Sequence, residues 1–116
     1  MRHRVKGKKL DRKKEPREAM LKNLASSIII YEKVKTTEAK AKTVKPLLEK
    51  IITTSIKGDL ASRRELIRLL PQKMAIKKAM EILAVRYKDR RGGYLRIIKL
   101  GRRLGDSASL VQIELV

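Results

Sequence analysis

Apolar residues recur at helical intervals along the chain, first as Met20, Leu21, Leu24 and Ile28, then as Val44, Leu47, Leu48, Ile51, Ile52 and Ile56. Steps of three and four put side chains on one face of a helix. The first stripe predicts a helix over residues 16–30, opened by Pro16 in a turn where its missing N–H is not needed. Residues 32–36, with β-branched Val34 at their centre, predict a short strand. Thr37 is placed to cap a second helix by accepting a bond from an orphan amide. Pro46 lies inside that helix's stripe and predicts a kink or a tightened first turn. Gly58 ends it, Asp59 caps a third helix over residues 60–70, and Pro71 stops the third. A fourth helix carries Ile76, Ala79, Met80, Leu83 and Tyr87 on one face. These stripes read as core, not as binding sites.

Beyond Gly92 and Gly93 the helical period gives way to alternation. Residues 94–100 are rich in β-formers, and residues 110–116 send Val111, Ile113 and Leu115 one way and Gln112 and Glu114 the other. Residues 101–107 between them are basic and rich in turn formers, so the pair predicts a β-hairpin with a long basic connection. An isolated hairpin is marginal, and the strand near Val34 is expected to join it beneath a helical layer. The expected fold is α+β in two layers: about four helices packed on a small three-stranded sheet, with an extended basic N-terminal arm and no internal repeat.

Charge changes this picture. The 116 residues hold 31 Lys or Arg against 12 Asp or Glu, a formal net charge of +19. Residues 1–14 hold eight basic residues and one acid, and so do residues 86–103, which gives each segment +7. The first segment, MRHRVKGKKLDRKK, has no apolar periodicity and cannot offset its own ordering entropy, so it is expected to be flexible until bound. The division that follows is a basic arm, residues 1–14, and a single α+β domain, residues 15–116. A compact chain so charged repels itself and is most comfortable beside a dense anion.

Candidate chemistry narrows the choice. The chain has no Cys, which excludes disulfide scaffolds, zinc knuckles and thiol catalysis. His3, the single histidine, sits in the arm with no partner to position it as a base or ligand. Glu32, Glu38, Glu49, Glu65 and Glu81 are scattered where neighbouring lysines can pair with them, and they form no metal-holding cluster. No phosphate-binding glycine loop occurs. Neither catalysis nor a cofactor, a metal or a small-molecule substrate is expected. Apolar runs stay far short of the roughly 18 residues that suggest a membrane span. Residues 1–17 hold no secretory apolar core, so a soluble, intracellular chain is expected.

Nucleic-acid binding remains. Arginine forms forked bonds with phosphate, and lysine brings a compact charge to the same oxygens. The candidate contacts in the arm are Arg2, His3, Arg4, Lys6, Lys8, Lys9, Arg12, Lys13 and Lys14. In the domain they are Arg63 and Arg64 on the third helix, Arg86, Lys88, Arg90 and Arg91 at the end of the fourth, and Arg96, Lys99, Arg102 and Arg103 along the hairpin. Together they are expected to form one footprint. For Arg63 and Arg64 a solvated helix face competes with contact, and Tyr94 is placed either to touch a partner or to join the core. With no Phe or Trp and three Tyr, the chain lacks platforms for stacking single-stranded bases. Backbone and shape recognition of folded RNA is therefore favoured. One rival is a general DNA-binding, nucleoid-type protein, which ordinarily carries an apolar wedge or dimeric arm that is not evident here. The other is a peripheral protein on anionic membranes, for which the arm lacks a Trp/Phe/Leu face.

Longer motifs add a resemblance. Met1-Arg2-His3-Arg4 is followed by Gly7 and Leu10, Lys35-Thr36-Thr37 by Ala39-Lys40-Ala41-Lys42, and Gly58-Asp59-Leu60 by Arg63-Arg64. Most specific is the run from Arg86 to Tyr94, RYKDRRGGY, then Arg96-Ile97-Ile98-Lys99, Arg103-Leu104-Gly105-Asp106 and the final Ile113-Glu114-Leu115-Val116. In this order, over essentially the whole chain, they resemble the bacterial large-ribosomal-subunit protein family numbered seventeen. The resemblance implies a structural constituent of the large subunit in the cytoplasmic ribosome, binding the long (23S) ribosomal RNA and supporting assembly and translation. It also implies that the arm enters the RNA while the α+β body lies on the solvent side near the nascent-chain exit, touching neighbouring ribosomal proteins. Where the family often has a Ser- or His-rich stretch, this chain has Lys13-Lys14-Glu15-Pro16. Beginning at the family's own first residue, it is expected to be bacterial rather than imported into an organelle.

Overall fold

The computed structural model describes the backbone of residues 14–116 and side chains from residue 16 onward, so residues 1–13 of the expected arm lie outside the described residues. Helix α1 (Lys14–Tyr31) begins two residues before the expected start, with Pro16 still in its first turn. It buries Ala25, Ile28 and Ile29. It ends where Glu32 turns left-handed, at φ 66°, with its N–H donating to the Ile28 carbonyl at 2.8 Å. A left-handed residue cannot extend a strand, so strand β1 is Lys33–Thr37 rather than residues 32–36.

Thr37 then caps helix α2 (Glu38–Lys57), its hydroxyl accepting from the Lys40 N–H at 3.4 Å. Ala41, Val44, Leu48, Ile51 and Ile52 form the buried stripe of that helix. Pro46 stands well past the first turn on the exposed side, where water can reach the carbonyl left without a donor. The helix runs through it unbroken, and the tightened first turn does not form. Gly58, at φ 67°, makes the left-handed C-cap that favours glycine. Asp59 accepts the Ser62 N–H at 2.7 Å to open α3 (Leu60–Leu69), which Leu70 and Pro71 close.

The fourth helix, α4, departs from the expected regular helix. It comprises α-helical Lys73–Lys78, a π-helical turn Ala79–Leu83 and a last α-helical turn Ala84–Arg86. Its buried residues Ala75, Ala79, Leu83 and Tyr87 repeat every four positions. On a helix of 3.6 residues per turn each such step overshoots by roughly 40°. The wider π turn, in which the Ala84 N–H donates to the Ala79 carbonyl, absorbs the overshoot and keeps the repeat on the core.

Strands β2 (Leu95–Arg102) and β3 (Ser109–Leu115) form the expected antiparallel hairpin, and β1 adds to the free side of β3, giving the order β1-β3-β2. Val34 faces Ile113, which faces Ile97. The register slips between Lys99 and Gly101, where Leu100 is the extra residue and Gly101 sits at φ 120°. This bulge carries β2 past Gly101, so Gly101 and Arg102 belong to the strand and the connection is residues 103–108 rather than 101–107. One sheet face presents Val111, Ile113 and Leu115 to a core shared with Ile28, Leu48, Ile51 and Leu83. By alternation Lys33, Lys35, Arg96, Ile98, Gln112 and Glu114 share the other face. The two-layer α+β architecture is the expected one.

Candidate nucleic-acid interface

Basic residues that are adjacent in sequence separate in space. Arg86 ends α4, and Lys88, Arg90 and Arg91 occupy the turn before β2, whereas Arg102 and Arg103 stand at the far end of that strand. At roughly 3.3 Å per residue, the length of β2 puts these groups about 23 Å apart. Arg96 and Lys99 lie between them and alternate across the sheet. The residues line an edge strand with a basic pole at each end, not one compact patch.

At the first pole Arg86 is held rather than displayed. Its guanidinium donates to both carboxylate oxygens of Glu32, at 2.6 and 3.0 Å, and stacks 5.8 Å from the Tyr87 ring centre. Lys78 reaches the same carboxylate at 2.9 Å and also donates to the Ile30 carbonyl. Hydrogen bonds from Arg86 first, and from Lys78, hold the Glu32 carboxyl at about 2 against an ordinary 4.5, and the guanidinium is pushed further up. Tyr94 is core: it is 2% exposed, and its ring centre lies 5.2 Å from that of Tyr87. Its hydroxyl donates to the Arg90 carbonyl at 3.1 Å and accepts from Thr53. The reading of Tyr94 as a partner contact is thus corrected, because a ring enclosed between α2 and the turn has no face to offer. What it does instead is brace the backbone that displays Lys88, Arg90 and Arg91, all three exposed.

The second pole is built locally. Arg103 forks onto Asp106, which also accepts the Ala108 N–H, and these bonds hold the Asp106 carboxyl at about 2. Arg102 donates to the Ser107 carbonyl at 3.3 Å. Elsewhere, Arg96 lies 3.5 Å from Glu114 on the outer sheet face. Arg63 and Arg64 are exposed on α3, which packs on α2 and α4. Lys14 is the first residue of α1, while Arg2, His3, Arg4, Lys6, Lys8, Lys9, Arg12 and Lys13 lie outside the described residues.

Two lysines escaped the sequence reading. Lys33 is registered opposite Glu114, itself opposite Arg96, and Lys35 opposite Gln112, itself opposite Ile98. They extend the basic character of β2 across the outer face. The alternation in Lys33-Val34-Lys35 was the available signal, since period two puts both lysines on one side. Among the described residues no group of acidic or His side chains is placed to hold a metal, and no helix is long and apolar enough to cross a membrane.

Comparison with known proteins adds descent to geometry. Residues 20–116 match the family model described as ribosomal protein L17. Over its whole length the chain is 50% identical to the large ribosomal subunit protein bL17 of Hydrogenobaculum sp. (strain Y04AAS1), covering 99% of that relative. It is 47% identical to the protein of the same name from Rickettsia typhi (strain ATCC VR-144 / Wilmington), covering 85% of it. Against the one from Syntrophotalea carbinolica (strain DSM 2380 / NBRC 103641 / GraBd1) the figures are 45% and 75%.

Proposed function

Since this chain belongs to the ribosomal protein L17 family, we propose that it is a structural, non-enzymatic constituent of the large ribosomal subunit in the cytoplasm, held there by large-subunit ribosomal RNA. The observation that carries this reading is the full-length identity to proteins named for that subunit. Charge supports it: +14 of the +19 is concentrated in residues 1–14 and 86–103. Residues 1–14 serve as the RNA-bound arm and residues 15–116 as the body. Phosphate contacts come from the arm's lysines and arginines, from Lys88, Arg90 and Arg91, and along β2 from Arg96, Lys99 and Arg102, with Lys33 and Lys35 extending them. Such contacts fix register on a folded RNA without reading its bases. Neighbouring large-subunit proteins touch the body, and the bound chain supports assembly of the particle.

Sedimentation of the tagged full chain with ribosomal subunits tests this directly. Expected is migration with the large subunit. Competition then compares structured large-subunit RNA with random duplex DNA at matched salt. Equal affinity for the duplex overturns the ribosomal reading in favour of a general DNA-binding protein, and tight flotation with anionic liposomes overturns it in favour of a membrane role.

A further inference from the structure

Helices α3 and α4 enclose a groove of about 670 Å³ beside their connection at Pro71. Its floor is apolar, with Ile67 and Leu70 on one side and Ile76 and Met80 on the other. Ile67 is 57% exposed, and Leu60, two helical turns earlier on the same face of α3, is 64% exposed. Met80 and Glu81 line the wall formed by α4, and both lie in the π turn Ala79–Leu83. Turns of this kind occur frequently at functional sites. The rim carries three cations, Arg63, Lys73 and Lys77, against one acid, Glu81.

We propose that this groove docks an amphipathic helical segment of another protein, whose apolar side chains seat on Ile67, Ile76 and Met80 and whose acidic flank meets Arg63, Lys73 and Lys77. Charge selects the occupant. The chain's own basic N-terminal segment and a second copy of this +19 chain are both repelled by the rim. RNA gains ion pairs at the rim but nothing from the floor, where its phosphates would lose water without a partner. A segment with apolar anchors and an acidic flank uses both features, in the manner of helix-in-groove recognition. This assignment stands on the groove alone and does not depend on RNA binding.

The test uses the full chain and three labelled synthetic peptides, read by fluorescence anisotropy at about 0.15 M salt, where long-range attraction is screened. The first peptide has Leu at helical spacing and Glu flanks, the second has the same Leu with Lys flanks, and the third has Glu flanks with Ser replacing each Leu. Expected is binding of the first at least about tenfold tighter than either control, and loss of that margin in Ile67→Glu. Charge reversal at Lys77→Glu, an exposed position that keeps the fold measurable if Ile67→Glu does not fold, is expected to shift preference toward the Lys-flanked peptide. Equal binding of the Ser peptide would reduce the effect to bulk charge and overturn the proposal. So would peptide binding that ignores both substitutions, or an Ile67→Glu variant that loses only ribosomal RNA affinity, which would assign the groove to RNA.

Discussion

Two of the arginines that grip a carboxylate through a fork in this body, Arg86 and Arg103, do so with different consequences. Arg86 reaches Glu32 across 54 positions, while Arg103 reaches Asp106 three positions on. Glu32 also takes Lys78 on its side chain and the Leu115 N–H on its carbonyl, so α1, α4 and β3 converge on one residue. Asp106 closes only its own loop. A local pair can form at small entropic cost in the unfolded chain, whereas a distant one exists only once the chain has folded. The same chemistry therefore clamps the fold at one pole of β2 and merely shapes a turn at the other.

The largest effect expected from breaking the clamped pole is in the core behind it. Tyr94→Ala removes a buried ring and is expected to cost about 3 kcal/mol or more in urea unfolding. An unchanged midpoint would mean that this pole is not structural. Next is Glu32→Gln, which keeps the shape and removes both ion pairs. The carboxylate is 38% exposed, and water screens it, so the expected loss is about 1 kcal/mol at neutral pH. Because folding holds this carboxyl at about 2 against 4.5, its contribution is complete above 4.5 and is lost as pH falls from 4.5 toward 2. The gap between parent and variant should therefore close over that window, and a gap constant with pH would contradict the pairing. Glu32→Gly loses the same ion pairs but relieves the left-handed backbone at φ 66°, so it is expected to be less damaging than Glu32→Gln. The smallest effect belongs to the other pole. Asp106→Asn should leave the melting curve in place while freeing Arg103, steepening the salt dependence of RNA binding by less than about one unit. A large loss of stability there would erase the distinction between the poles.

What was legible in the sequence follows the same division between local and distant. Thr37, Gly58 and Asp59 cap helices through bonds spanning a few residues, and the stripe from Val44 to Ile56 needs only helical geometry, so these features could be read in advance. The alternation of Val111, Ile113 and Leu115 likewise announced β3. The hold of Arg86 on Glu32 could not be read, because nothing near either residue names the other. Tyr94 was undecided for the same reason, since its enclosure depends on Thr53 and Tyr87 arriving from elsewhere. The bulge at Gly101 depends on pairing with Leu110. In the candidate interface, charge was visible as a total and as two segments. Which cations are already held by carboxylates was not.

The central claim is that the arm supplies much of the grip on ribosomal RNA while the body folds without it. The most direct measurement compares the full chain with residues 15–116 on large-subunit RNA across a salt series, with circular dichroism of both. For the full chain, neutralising about eight phosphates gives a log–log slope of roughly −6 to −7. Expected for the shortened chain is the same folded spectrum, a sharply weaker affinity and a shallower slope. An unfolded shortened chain, or one that binds as tightly and with the same slope, would contradict the claim.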